Sequence, residues 1–417
     1  MKTTALLCFG LLALGAHGAT DDDFLDRVDD ALTFATDHDR IRARISGSLD
    51  LEEYYFQRPA PTLIYTDKST FLNPRVTLFL DAQLGPQIYL FAQSRLDQGY
   101  NPGDGGWQVR LDEYALRLTP WTNGLFNLQV GKFATVVGNW VQRHHSWDNP
   151  FVTAPGPYEN LTGIFDGAAA NSAETLLRWA QVRPDPSTGT GAYNPYRVPI
   201  LWGASYTSGA ALTGTWDKFD YAIEFKNASL SSRPETWDAA QTQWQHPTWS
   251  GRLGYRPDES LTLGFSASAG SYLMPSAQPT LAPGRSLDDY REVVLGQDVG
   301  FAWHRLQFWA EFYEADFQIP LVGNARTFAY YFETKYKFTP QFFGAFRWNQ
   351  QVYGSIPDGA GGRERWGRDL WRIDVAPGYR FTPHTQLKLQ YSLQHGTTEN
   401  GGTGYTSLLA TQFVLRF

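Results

Sequence analysis

From Ile41 to the C-terminus, apolar and polar side chains alternate one by one, and nothing else in the chain constrains its fold as tightly. Leu387, Leu389, Tyr391 and Leu393 are interleaved with Lys388, Gln390, Ser392 and Gln394. Phe219, Tyr221, Ile223 and Phe225 are interleaved with Asp220, Ala222, Glu224 and Lys226, and Phe328, Tyr330, Phe332 and Tyr336 with Ala329, Tyr331, Glu333, Lys335 and Lys337. A period of two marks a strand with one apolar and one wet face. The runs extend over roughly 10–14 residues, whereas strands of soluble proteins average about 5–6 and a tilted membrane strand needs about 9–11. With lipid outside and water inside, such strands form a transmembrane barrel.

The connections alternate as well. Tight turns at Gly85-Pro86, Arg256-Pro257-Asp258-Glu259, His304-Arg305, Thr339-Pro340 and Thr382-Pro383-His384 are separated by longer polar loops. Strands placed between these signals begin with 41–57 and end with 404–417, and strands five and six fall at 125–137 and 198–208. The count is about sixteen, with fourteen or eighteen also compatible, and single-chain bacterial barrels have even numbers. The expected fold is therefore all-β: a transmembrane antiparallel up-and-down β-barrel of about sixteen strands spanning 41–417. Both termini and all tight turns then lie on one side, the periplasmic one, and the long loops on the other. Aromatic residues, 15% of the chain, crowd strand ends such as Tyr54-Tyr55-Phe56, where amphipathic rings sit at the headgroup level.

Ahead of the barrel, Lys2, the apolar run Ala5 to Leu14, and Ala16 and Gly18 form a secretory signal over 1–18. The only cysteine, Cys8, lies inside it, so the mature chain is expected to have no thiol chemistry. Residues 19–40 form a periplasmic segment in which Asp22 to Phe34 reads as a short amphipathic helix with Phe24, Leu25, Val28 and Leu32 on one face. A formal charge of -7 argues against nucleic acid as a partner. The expected surroundings are outer-membrane lipid and small hydrophilic solutes, and no cofactor is expected.

One connection breaks the rhythm. Residues 138–197 are too many for a simple loop, and long loops are often functional. Trp140, Arg143, His144, His145, Trp147 and Asp148 crowd its first part, and Ser172 to Val182 reads as a short helix capped by Ser172. His144 and His145 with Asp148 make a poor metal set, because adjacent histidines share no face, and Ser146, His145 and Asp148 are too close in sequence to reach triad geometry. Neither a metal site nor an enzyme is expected. Inward-facing positions place Arg42, Arg44, Arg95, Arg252, Glu311, Glu333, Lys335, Arg347, Arg372, Asp374 and Lys388 along the pore. Both signs occur, so the charges either set a mild preference for anions or pair across the wall and pin the loop.

These patterns resemble those of Gram-negative outer-membrane porins, and the resemblance spans nearly the whole mature chain. In general porins a long third loop joins strands five and six and narrows the lumen, which implies a constriction at 138–197 here. The run Leu128-Gln129-Val130-Gly131-Lys132-Phe133 before Gly138 resembles a strand of phosphate-selective and related porins, although the sequence has no Lys/Arg ladder to carry phosphate. Thr411, Phe413, Leu415 and the terminal Phe417 resemble the signal read by the barrel-assembly machinery. The resemblance also implies homotrimers. The expected function is passive diffusion of small hydrophilic solutes or ions. The alternative is a sheath that holds an exported partner, such as an electron-transfer cytochrome, across the membrane.

Overall fold

The computed structural model describes residues 21–36, 40–57, 62–64, 69–98, 106–180, 197–242, 244, 247–397 and 402–417. The export signal lies outside these residues. The first half of the barrel comprises β1 (Ile41–Phe56), β2 (Thr70–Leu84), β3 (Ile88–Asp97), β4 (Gln108–Leu118), β5 (Asn127–Phe133), β6 (Thr207–Trp216), β7 (Phe219–Lys226) and β8 (Thr248–Tyr255). The second half comprises β9 (Leu261–Ser271), β10 (Arg291–Trp303), β11 (Leu306–Ile319), β12 (Gly323–Lys337), β13 (Phe342–Tyr353), β14 (Leu370–Arg380), β15 (Thr385–Thr397) and β16 (Thr403–Arg416). Each strand pairs antiparallel with the next, and β16 closes on β1 in the register Arg416↔Ser48 to Leu408↔Phe56. The result is a closed sixteen-stranded barrel, in which only strand ends that outrun a neighbour keep an unpaired edge. Among the described residues no helix is long and apolar enough to cross a membrane; the strands do the crossing.

Alternation assigns the two faces. On β15, Leu389 and Tyr391 are exposed on the outside while Gln386, Lys388, Gln390 and Ser392 are buried inside. The same holds on β12, where Phe328 and Tyr336 face out and Tyr331 and Glu333 face in. The N-terminal helix α1 (Asp21–Ala31) is followed by a short strand, Thr33–Ala35, that pairs with the start of β1.

The expected helix over Asp22 to Phe34 ends at Ala31, and strands five and six differ most from the sequence expectation. Strand five stops at Phe133 instead of 137, and strand six is Thr207–Trp216, not 198–208. Val198, Ile200 and Leu201 had the apolar character of a strand, but they are completely buried in a core inside the barrel. The overlooked signal was the two-residue turn Asp217-Lys218, in which Asp217 adopts φ 51°, a conformation that Asp tolerates. The connection between β5 and β6 therefore runs from 134 to 206, longer than the expected 138–197. The outer loops do not all project outward either. Leu63 N–H donates to Glu159 O at 2.9 Å and Met274 N–H to Asp166 O at 2.9 Å, so residues 62–64 and the loop after β9 reach this connection.

Candidate functional site

The described parts of this connection, 134–180 and 197–206, enter the lumen and fill much of it. Gly138 makes the turn inward at φ 77°. A Cβ there would lie 2.2 Å from the Tyr313 hydroxyl and 2.4 Å from that of Tyr158, so only glycine fits. Further on, the predicted helix is present as α2 (Ala173–Ala180), capped by Ser172, whose Oγ accepts Thr175 N–H at 3.1 Å. Trp140, Val141, Tyr158, Ile164, Phe165, Leu176, Leu177, Trp179 and the 198–201 stretch pack with Tyr313, Phe317 and Tyr331 of the wall. A barrel lumen is normally wet. Here the segment carries a small hydrophobic core of its own into it.

The inward charges of β11 to β15 clamp this segment. Glu311 accepts the amide N–H groups of Asn139 at 2.6 Å and Trp140 at 2.7 Å, and the Tyr158 hydroxyl at 2.6 Å. Arg143 pairs with Glu333, donates to the Tyr331 hydroxyl at 3.1 Å and lies over the Trp309 ring. Arg347 is completely buried between Asp374 at 2.8 Å and Glu333 at 3.4 Å, and donates to Thr153 O and Oγ1 at 3.2 and 3.0 Å. Arg372 bridges Asp374 and Glu159 and donates to Ala154 O at 2.6 Å. Lys388 donates to three loop carbonyls, those of Ser146, Asn149 and Phe151, at 2.7, 2.9 and 3.1 Å. Buried charges are tolerated only when paired or fully hydrogen-bonded, and these satisfy that condition by holding the loop.

The other expected pore residues are placed differently. Lys335 stacks over the Phe343 ring, and Arg252 pairs with Asp298 at 2.7 Å and Asp220 at 2.9 Å. Arg95 pairs with Asp112 at 3.1 Å on the opposite wall. Arg42 and Arg44 are exposed near the start of β1, at the short-turn end of the barrel, and Arg44 pairs with Asp29 of α1. Of the loop residues, Trp140 is buried, Trp147 is sandwiched between Arg380 and Arg416, and Asp148 is exposed. Glu311, Glu333, Arg347, Arg372 and Lys388 face inward but touch loop instead of open water, and Asp374 holds two of these arginines from the wall. Several partners escaped sequence reasoning, among them Arg75, Gln390, Asn349 and Glu159. Arg75 was legible in principle, since Val76, Leu78 and Leu80 face outward and leave Arg75, Thr77 and Phe79 inward.

Open space survives on the β1–β4 side. A cavity of about 760 Å³ lies between the loop and this wall, reaching from Asp29 and Arg44 at the short-turn end to Leu63 and Ile64. A second, of about 330 Å³, adjoins it, with Phe79 and His145 lining both. Arg75 projects here, held by Asp50 at 2.8 Å, Glu52 at 2.5 Å and Ser146 Oγ at 2.9 Å. His144 contacts the Val141 carbonyl through Nδ1 and the Tyr206 hydroxyl through Nε2. A carbonyl can only accept, so Nδ1 carries the proton and Nε2 accepts from Tyr206. Burial lowers the His144 pKa to about 4, and burial with His144, Arg95 and Arg75 nearby holds His145 well below the usual range. Both rings are neutral at pH 7. Among the described residues no group of three His, Cys, Asp or Glu side chains is placed to hold a metal ion.

The histidines make docking of the loop pH-dependent. A released His144 titrates near 6.5 and so binds more protons than the docked one between pH 6.5 and about 4. The contribution of His144 to docking is complete above pH 6.5 and is lost as the pH falls, by up to about 3 kcal/mol. Protease cleavage within 139–160 is expected to appear at pH 4.5 and not at pH 7, and to be suppressed in His144→Phe. Equal protection of the wild-type loop at both pH values would contradict this.

The barrel closes with sixteen strands, short turns on one side and a long inward connection between β5 and β6. The fold is that of the outer-membrane porins. The anion-selective porin from Comamonas acidovorans superimposes with a TM-score of 0.55 at 10% identity, over 90% of this chain and 100% of that one. OmpF of Salmonella typhi, in complex with daunomycin, gives 0.55 at 11% identity over 92% and 100%. The outer membrane channel DcaP of Acinetobacter baumannii gives 0.53 at 10% identity over 92% and 99%. No protein-family model matches the sequence, and no curated protein matches it either.

Proposed function

We propose that this chain is an outer-membrane channel that passes small hydrophilic solutes or ions by diffusion. Its passage is confined to the β1–β4 side of a largely filled barrel. The observation that carries this reading is the cavity of about 760 Å³ left between the clamped loop and that wall, running inward from the periplasmic end. The similar folds include an anion-selective porin and an outer membrane channel. A sheath around a partner protein is disfavoured, since the chain's own loop occupies the bore and the remaining space is far too small for a folded domain. Catalysis is not part of this reading. The outward belt of Leu, Phe and Tyr side chains suits the lipid of the outer membrane, and the alternating C-terminal strand suits recognition by the assembly machinery.

Planar-bilayer recording of the purified protein tests it. The expected result is small, steady conductance steps with weak ion selectivity, because the lumen arginines are largely neutralised by carboxylate partners such as Asp50, Glu52 and Asp112. A correctly inserted barrel that never conducts would remove the channel reading.

A homotrimer is part of the proposal. The outward faces of β2 and β3 carry Leu72, Leu78, Leu80, Leu84, Leu90 and Leu96 but no aromatic ring, whereas β11 to β16 carry aromatic side chains outward on every strand. An interrupted aromatic girdle suits a face covered by protein instead of lipid headgroups. Leu90→Arg is expected to convert the trimer to monomers, read by light scattering in detergent. An unchanged mass would place the contact elsewhere.

A further inference from the structure

The cavity beside the loop opens toward the periplasm, and α1 lies at that opening. The attachment of α1 follows from a mismatch in strand length. β16 runs out at Arg416 opposite Ser48, and Phe417 adds one last pair of backbone hydrogen bonds with Gly47. The first residues of β1 thus extend beyond their neighbour and offer a bare edge. Thr33–Ala35 takes that edge in the register Thr33↔Arg44, Phe34↔Ala43 and Ala35↔Arg42, and Ile45 N–H donates to Leu32 O at 3.0 Å. This three-residue strand tethers the helix.

From the tether, α1 passes beneath the end of β16. Asp29 accepts two hydrogen bonds from Arg44 at 3.0 and 2.9 Å, and Asp26 meets His384 Nε2 at 2.9 Å in the turn joining β14 to β15. Asp26, Asp29, Arg44, Ser46, His384 and Arg416 all line the inner end of the cavity. The helix therefore spans the mouth of the passage from β1 to β15. Its grip is slight. Asp26 is 69% exposed and Arg44 52% exposed, and exposed ion pairs contribute little. Leu25 and Val28 are only half-buried and Phe24 is exposed. The strand tether holds one end firmly while surface contacts hold the other, which is the construction of a hinged lid.

We propose that α1 is a lid on the periplasmic mouth of the passage, latched by Asp29 to Arg44 and by Asp26 to His384, and that its release widens the exit. The conductance readout rests on the channel reading above; the accessibility readout does not. The mature chain is expected to lack native cysteine, so thiols can be placed freely. In full-length protein carrying Asp26→Cys and His384→Cys, a short reversible bis-methanethiosulfonate bridge is expected to lower single-channel conductance at least threefold, with recovery on reduction. In a separate chain carrying Ser46→Cys, Asp29→Ala is expected to speed labelling by a water-soluble maleimide severalfold. Full bridging with unchanged conductance in a conducting protein would overturn the lid, as would labelling of Cys at position 46 that Asp29→Ala leaves unaltered. Should the unbridged protein not conduct, the channel reading fails by itself, and the labelling rates alone decide the lid.

Discussion

Replacing Arg347 with leucine is expected to undock the inner loop while leaving the barrel closed. Arg347 is completely buried and is the shared partner of Asp374, Glu333 and the Thr153 carbonyl and hydroxyl. Leucine removes all these donors and leaves two buried carboxylates short of a cation. Removing one partner of a buried pair costs about 3–5 kcal/mol, mainly because the remaining charge stays desolvated. Asp374 keeps Arg372 and Glu333 keeps Arg143, so the barrel wall retains support, but both of those arginines also hold the loop. The loop can relieve the penalty by letting water in. Protease sensitivity of 139–160 and larger, noisier conductance steps are expected, with the heat-modifiable gel shift of a folded barrel preserved. A tight loop and unchanged steps would mean that the apolar core around Trp140, Leu176 and Val198 suffices to hold it. The double change Arg347→Leu with Asp374→Leu should recover part of the docking, because replacing a buried pair by apolar groups is often neutral.

Excising the loop is expected to have the larger effect on transport. Its two ends already meet: Thr135 N–H donates to Ala204 O at 3.0 Å. Residues 136–203 can therefore be replaced by a short Gly-Ser linker without straining β5 or β6. A sixteen-stranded barrel without its filling holds an aqueous channel, so conductance should rise roughly tenfold, in keeping with an open bore of porin size. The cost is the exposure of Arg347, Arg372, Lys388 and Glu311 to water, where they no longer need loop partners. The variant should thus fold, and its selectivity should follow the charges now bared. A folded, excised barrel that conducts like the wild type would show that another segment sets the limit, and the inward loop residues Thr62 to Ile64 would be next to examine.

Alternation of side chains was sufficient to read the barrel, because a strand between lipid and water must repeat every two residues whatever its neighbours are. That is why the barrel, a strand count near sixteen and the short turns were legible from residue order alone. The misplaced sixth strand shows where this logic ends. Val198, Ile200 and Leu201 are apolar for a different reason, burial in the loop's own core, and a local pattern does not distinguish a lipid-facing residue from one buried in the lumen. That the inward charges pair and pin the loop was one of two readings open in the sequence, but their particular partners were out of reach. Arg372 meets Glu159 and Ala154, and Lys388 meets carbonyls of residues 146–151, across more than 200 positions of sequence. Such contacts exist only once the barrel has closed and the loop has entered it. The sequence by itself determined that this chain would form a barrel whose strands each carry one apolar and one polar face. Only the tertiary structure decided that several inward side chains hold a filling in place, and that space is left along β1 to β4, where the loop leaves the wall uncovered.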